Sequence, residues 1–286
     1  MAATPTATLL ISCPDRPGIV AAVSDFIFRG GGNIIHADQH TDRQEGVFLQ
    51  RLEWELEGFA LPPEAIAEAF RPIAERFDMR WRLATSDHIP RVAVLVSKQG
   101  HCMYDLLARW RMGELPAEIP VVVSNHPDLS EDAERLGVEF HHLPVTPETK
   151  PRQEAEIDAL LGRHEIDLVI LARYMQILTP EFVDRWPRRI INIHHSFLPA
   201  FAGARPYHQA HERGVKIIGA TAHYVTAGLD EGPIITQDVA RVSHRDSVED
   251  MVHKGRDLEM VVLARAVRLH LENRVIVYGS KTVVFD

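Results

Sequence analysis

The chain is predicted to be an α/β protein in two parts: an N-terminal ferredoxin-like βαββαβ unit, then a doubly wound, mostly parallel α/β domain. Three observations lead there. The length of 286 residues fits two domains at roughly 150 residues each. Over the first ~85 residues, short strand and helix patterns alternate at about one element per dozen residues. Beyond residue 91 the strand patterns become near-continuous apolar runs separated by amphipathic helices, as expected of parallel strands buried on both faces.

In the first unit, ATLLISC (7–13) is a β run, and Pro14-Asp15-Arg16-Pro17-Gly18 is a turn cluster with proline near a helix start. Ile19, Val23, Phe26 and Ile27 recur at helical spacing until Gly30-Gly31-Gly32 ends the helix. Strands follow at 33–41 and 46–57. In the second of these, Leu52, Trp54 and Leu56 alternate with Arg51, Glu53, Glu55 and Glu57, so one face is buried and one is wet. A helix after Pro62-Pro63 places Ile66, Ala69, Phe70, Ile73 and Phe77 on one side. Met79, Trp81 and Leu83 alternate with Arg80 and Arg82 in a last strand, completing the βαββαβ order.

Residues 86–91, SDHIPR, read as a linker between a unit of 1–85 and a domain of 92–286. The strands of that domain are VAVLVS (92–97), IPVVVS (119–124), LVILA (168–172) and IINIH (190–194), with helical patterns at 102–112, 130–137, 151–163 and 246–272. VIVYGSKTVVF predicts a hairpin about Gly279-Ser280.

Hydrophobic residues are 45% and charged residues 25% of the chain, which excludes a disordered tail protein or a fibrous repeat. No run reaches the ~18 apolar residues of a membrane helix, and MAATPTATLLIS lacks the basic region of a signal peptide; a cytoplasmic protein with no membrane partner is expected. A net charge of −9 argues against nucleic acid as a partner. Cys13 and Cys102 make no disulfide framework, and neither has a CxxC partner for zinc.

The densest polar constellation is INIHHSFLPAFAGARPYHQAHERG (191–214), followed by GATAHYVTAGLDEGPIITQ (219–237). The first opens at the C-terminal end of a buried strand, where open α/β sheets place their ligands. Asn192 and His194 are two apart on that strand and share a face. His223 comes from a second β-like run, and Asp230 from a turn ending in Gly232-Pro233. An amide donor, imidazoles and a carboxylate suit proton transfer at a carbonyl or acyl centre. The plainer alternative is a hydrogen-bonded structural histidine and a turn-forming aspartate. Zinc is a further alternative, because His194, His195, His208, His211 and His223 are numerous. There is no HExxH, however, and His208-x-x-His211 lacks a carboxylate or thiol pattern, so no metal is expected.

N-I-H-x-S-x-L-P-x-F-x-G, T-x-H-Y-V and L-D-E-G-P-I-I, in that order, resemble the folate-dependent formyltransferase fold. ILARYMQILTPEFV (170–183) is similar to the segment that lines the folate site in that fold. CPDRPG at the first strand–helix turn and GGNI at the second strand resemble an ACT domain. An ACT-like domain followed by a formyltransferase-like domain is similar to the formyltetrahydrofolate deformylase family over essentially the whole chain. The resemblance implies catalytic roles for Asn192, His194 and Asp230, with His223 supporting them. It implies a folate segment of Tyr174, Met175, Gln176, Ile177 and Leu178, acting partly through backbone groups. The implied reaction is hydrolysis of 10-formyltetrahydrofolate to formate and tetrahydrofolate without a cofactor, supplying formate for purine biosynthesis. In the ACT-like unit the resemblance implies that Asp15, Gly18, Asn33 and Ile34 meet a regulatory ligand, with amino acids such as glycine and methionine as effectors and a homo-oligomer expected; the plainer alternative is that Gly18 and Asn33 are turn residues.

A transferase acting on phosphoribosylglycinamide must hold a phosphate, and fold-mates use a Gly/Ser-rich loop after the first strand. The corresponding loop here, Ser97-Lys98-Gln99-Gly100-His101-Cys102, has one glycine, which favours water as acceptor; Lys98 keeps a phosphate or the folate tail in play. Cys102 sits near a helix start beside His101, where a thiol pKa can fall, so a cysteine hydrolase is a minor alternative to a small packing residue. A folate or amino-acid sensor without turnover is the non-enzymatic alternative. Ser196 lacks the strand–turn–helix setting of a nucleophile and is expected to be structural.

Overall fold

The computed structural model describes residues 4–199 and 206–286. The 200–205 part of the polar motif, with Phe201 and Gly203, lies outside the described residues. Two units form: 1–89 together with 273–286, and 90–272.

The first unit consists of β1 (Thr6–Pro14), α1 (Ile19–Arg29), β2 (Ile34–Asp42), β3 (Val47–Glu55), α2 (Pro63–Arg76) and β4 (Arg80–Thr85). Its antiparallel sheet runs β2-β3-β1-β4, the expected βαββαβ arrangement. One face of β1 sets Ala7, Leu9, Ile11 and Cys13 against Ile19, Val23 and Ile27 of α1 and Ile66 and Phe70 of α2. The period-two alternation sends Leu10 and Leu49 to the other face, and this face is also apolar.

That second face corrects the expected domain boundary of 92–286. The C-terminal hairpin (Val275–Tyr278 with Lys281–Val284) belongs to the first unit, because Ile276 and Phe285 join Leu10 and Leu49 in one core. Polar contacts pin its edges. Arg51 Nε donates to the Asn273 carbonyl at 3.0 Å, Tyr278 Oη donates to Asp42 Oδ2 at 3.1 Å, and Lys281 Nζ reaches the same oxygen at 3.3 Å.

The second unit contains β5 (Arg91–Val96), α3 (His101–Arg111), β6 (Glu118–Ser124), α4 (Ser130–Arg135), β7 (Glu139–His142), α5 (Lys150–Arg163), β8 (Leu168–Leu171), α6 (Pro180–Arg185), β9 (Ile190–His194), α7 (Pro206–Arg213), β10 (Ile217–Tyr224), β11 (Ile234–Arg241) and α8 (Val248–Leu271). The sheet order is β11-β10-β9-β8-β5-β6-β7. It is parallel from β9 to β7 and antiparallel at β10 and β11. Helix α5 buries Ile157, Leu160 and Leu161 against Ala93, Leu95, Val121 and Val123 of the sheet, beside Phe182 and Trp186. On the opposite face α8 packs on β9, β10 and α3. Three short elements, β7, α6 and α7, go beyond the sequence expectation, being too brief to show a period. Among the described residues no helix is long and apolar enough to cross a membrane.

The topology places the chemistry. From β5 the chain builds outward through β6 and β7, then crosses to β8 on the other side of β5. The carboxyl ends of β5, β8 and β9 therefore lie together at the switch point, where parallel sheets bind ligands. They carry, in order, the 97–102 loop, the 172–179 segment and His194.

Candidate active site

Strand β9 buries Ile191 and Ile193 on one face, so Asn192 and His194 share the other. Antiparallel pairing sets His223 opposite Asn192 and Thr221 opposite His194, which brings two segments that are distant in sequence to one face.

The His223 tautomer follows from its partners. Nδ1 lies 2.9 Å from the Tyr224 carbonyl, which can only accept, so Nδ1 carries the proton. Nε2 then accepts from Asn192 Nδ2 at 3.2 Å, fixing the amide with its second N–H free to donate. Asp230 closes the set: Oδ2 lies 3.1 Å from His194 Nδ1 and Oδ1 lies 3.5 Å from His223 Nε2. The His194 hydrogen bond holds the Asp230 carboxyl well below the ordinary carboxylate range despite its burial. With Nδ1 engaged by Asp230, His194 Nε2 is buried and has no hydrogen-bond partner among the described residues. It is the nitrogen available to a substrate atom.

Asp230 adopts a left-handed φ of 57°, which Asp and Asn tolerate better than most residues. The turn is closed by Tyr224 N donating to the Pro233 carbonyl at 2.9 Å. A Cβ on Gly232 would lie 1.7 Å from the Tyr224 carbonyl oxygen, so only glycine fits. Gly232→Ala should displace Asp230 and lower turnover by about 10- to 100-fold while the far end of β10 stays paired; crystallography with steady-state kinetics checks this, and an unshifted Asp230 with full activity contradicts it.

The segment after His194 is braced by Thr221 and Gln237, which the sequence motifs contain but to which they give no role. Thr221 Oγ1 donates to the Ser196 carbonyl at 2.8 Å and accepts from Leu198 N at 3.1 Å. Gln237 Nε2 donates to Thr221 Oγ1 at 2.9 Å and to the Leu198 carbonyl at 3.1 Å. Ser196 itself is buried.

The 174–178 segment divides in two. Tyr174 and Leu178 are core residues packed with Phe182 and Leu95, so only their backbone can face a folate. Met175 and Ile177 are 59% and 63% exposed, and Gln176 is half-buried between them. Met175 N donates to Ser97 Oγ at 2.9 Å, Tyr174 Oη reaches Gln153 Oε1 at 3.4 Å, and Thr179 N donates to Glu154 Oε1 at 3.0 Å. The segment is thus pinned at both ends, with two apolar side chains presented between.

Cys102 contradicts the cysteine-hydrolase alternative. It is fully buried, and burial, aided by nearby Glu259, pushes its thiol far above the ordinary range. Among the described residues two groups come close enough to share a metal ion, His101-Cys102-Glu259 and Glu139-His141-His164. Neither includes His194, His208, His211 or His223, and in the first the Arg173 guanidinium, 3.4 Å from Glu259, opposes a cation.

His195, half-buried beside His194 with ring centroids 5.1 Å apart, titrates abnormally. Burial, then the positive charges of Arg173 and His194, push it down from 6.5 to about 4. Between those values the unfolded chain binds a proton that the folded chain refuses, so stability falls as the pH drops through that window. His195→Asn should reduce the loss between pH 7 and pH 5 by about 1–2 kcal/mol. Denaturant titrations at both values check this; equal losses in the two proteins contradict it.

In the first unit the four expected ligand-contacting residues do not converge. Asp15 and Gly18 (φ 94°) follow the end of β1, where Cys13 pairs with Phe48, while Asn33 and Ile34 stand at the start of β2, beside Trp54. Six residues of strand separate these levels, roughly 20 Å. The Asn33 amide is engaged, donating to Glu55 Oε2 at 2.8 Å.

Comparison with known proteins agrees with both units. The formyl transferase family model matches residues 90–267 and the ACT domain model residues 7–75. A formyltetrahydrofolate deformylase of Synechocystis is 61% identical, with 98% of each chain covered. The crystal structure of a formyltetrahydrofolate deformylase from Pseudomonas syringae superposes with a TM-score of 0.97 at 51% identity, covering 100% of this chain and 96% of that one. The glycinamide ribonucleotide transformylase 1 of Symbiobacterium toebii is similar over 70% of this chain and 95% of its own, with a TM-score of 0.65 and 37% identity. With an ACT domain joined to a formyltransferase-fold domain and full-length identity of this order, the chain belongs to the formyltetrahydrofolate deformylase family.

Proposed function

We propose that this chain hydrolyses 10-formyltetrahydrofolate to formate and tetrahydrofolate, with Asn192, His194 and Asp230 performing the chemistry and His223 orienting Asn192. The observation that carries the proposal is their convergence on one sheet face, with the Asp230 carboxylate on His194 Nδ1 and His194 Nε2 left for a substrate atom. A formamide carbonyl is resonance-stabilised, and attack by water builds an oxyanion that needs donors already in place. The free N–H of Asn192 and the Nε2–H of a protonated His194 supply them. Asp230 orients the water and accepts its proton. The folate nitrogen leaves only when protonated; His194 Nε2 is the acid in reach, the proton of the formic acid released replaces the one it gives up, and Asp230 loses the water proton to solvent as formate departs. No covalent nucleophile takes part. Met175, Gln176 and Ile177 lie against the pterin, with backbone groups of Tyr174 and Leu178.

The formate would serve purine biosynthesis and the tetrahydrofolate would return to the one-carbon pool, in the cytoplasm. The ACT domain would bind amino acids such as glycine or methionine. Asp15 and Gly18 lie at the opposite end of the sheet from Asn33 and Ile34, so one ligand meeting all four would need two chains, in keeping with a homo-oligomer. Purified protein supplied with 10-formyltetrahydrofolate should release formate and tetrahydrofolate in equal amounts, before and after dialysis against EDTA. Activity lost on dialysis and restored by zinc would replace this mechanism with a metal-dependent one. Glycine or methionine should change the rate of the full-length chain; an unchanged rate and no heat of binding with either would remove them as effectors.

A further inference from the structure

A buried charge cluster beside the catalytic residues has no part in the steps above. Glu259, 2% exposed in the middle of α8, accepts from Tyr207 Oη at 3.0 Å, meets His101 Nε2 at 2.7 Å and lies 3.4 Å from Arg173 Nε. Arg173 Nε also donates to Gln99 Oε1 at 3.3 Å. Burial raises the Glu259 carboxyl, but the His101 hydrogen bond and the Arg173 charge outweigh it and hold the group ionised. The cluster adjoins the chemistry: the Tyr207 ring lies 6.4 Å from that of His195, itself 5.1 Å from that of His194.

Two features make this more than a stabilising ion pair. A buried pair is a weak stabiliser once desolvation is counted. Arg173, moreover, holds a left-handed φ of 63°, which glycine adopts freely and arginine does not. It does so in the turn that opens the folate segment, with its side chain turned inward and 10% exposed. We propose that the Arg173–Glu259 pair, with Gln99, His101 and Tyr207, walls off the side of the site next to the 97–102 loop and so restricts the formyl acceptor to water.

The proposal rests on the deformylase reading and explains its selectivity. A second substrate bearing an amine must approach the formyl carbon without displacing Asn192, His194 or Asp230. The neighbouring edge of the site is formed by the loop after β5, which shares the sheet end with Arg173 and His194. There His101 is tied inward to Glu259 rather than offered to a ligand, and Gln99, itself exposed, accepts one hydrogen bond from Arg173. Water needs none of this space.

Arg173→Gly removes the guanidinium and relaxes the backbone at the same position, and Glu259→Gln keeps the shape without the charge. Full-length wild type and both variants are given 10-formyltetrahydrofolate with a large excess of glycinamide, and N-formylglycinamide is measured against formate. In the transfer the amine nitrogen bonds to the formyl carbon, the bond to the folate nitrogen breaks, and that nitrogen takes the proton the amine gives up. The product ratio is unaffected by a general loss of activity, because both products draw on the same bound folate. Wild type should give formate alone, and Arg173→Gly a formylamide-to-formate ratio raised by ~10-fold or more over the wild-type background. An unmoved ratio in variants that still hydrolyse overturns the proposal, as does a wild type that already formylates glycinamide. If neither variant folds, Tyr207→Phe, which deletes one hydrogen bond to Glu259, is read the same way, and an unmoved ratio overturns it. A wild type that releases no formate overturns the deformylase reading instead.

Discussion

Asp230→Asn lowers kcat by ~100-fold or more and leaves the KM for 10-formyltetrahydrofolate within about 3-fold of wild type. The substitution is nearly isosteric, and asparagine tolerates the left-handed φ of 57° at this position, so the turn keeps its shape. What is lost is the acceptor for the water proton and the negative charge 3.1 Å from His194 Nδ1. Binding is spared because the folate segment is held by contacts to Ser97, Gln153 and Glu154, none of which involves Asp230. Steady-state kinetics on the folded variant checks the split. A large rise in KM with kcat intact would mean that Asp230 positions substrate rather than moving protons.

His194→Ala should be of comparable size, at ~100- to 1,000-fold in kcat. In the proposed mechanism one side chain does two jobs: its Nε2 faces the developing oxyanion and carries the proton needed by the leaving nitrogen. The substitution also frees Asp230 from the hydrogen bond that depresses its pKa. The acid limb of the residual activity should therefore move to higher pH than in wild type. The direction follows from linkage: a carboxylate held ionised by a partner is protonated more readily when that partner is gone. A residual rate whose acid limb does not move would mean that His194 is not what holds the Asp230 carboxylate ionised.

Much of this site is legible in the sequence, for identifiable reasons. Asn192 and His194 share a face because a strand has period two, and Asp230 stands out in a turn closed by Gly232-Pro233. That His223 lies opposite Asn192 depends on antiparallel register, which the local pattern does not encode. Glu259 was hidden for a different reason. In VEDMVHKGRDLEMVV it reads as one more charge on a solvated helix face, and its partner His101 is 158 residues away. Arg173 likewise resembles a surface arginine until its backbone angle and inward side chain are known. For the fold, alternation and apolar runs predicted the βαββαβ unit and the parallel strands. The hairpin at 275–284 was legible as a hairpin, but which sheet it covers depends on the unsatisfied apolar face around Leu10 and Leu49. Tyr174 and Leu178 carry the folate segment's pattern, yet their side chains serve the core.

The most direct measurement is a competition between acceptors. Wild-type protein is incubated with 10-formyltetrahydrofolate alone and with saturating phosphoribosylglycinamide, and free formate and formylated amine are followed together. Formate should appear at the same rate in both, with no formylated phosphoribosylglycinamide. Transfer to that amine at a rate comparable with hydrolysis would contradict water as the acceptor at Asn192, His194 and Asp230.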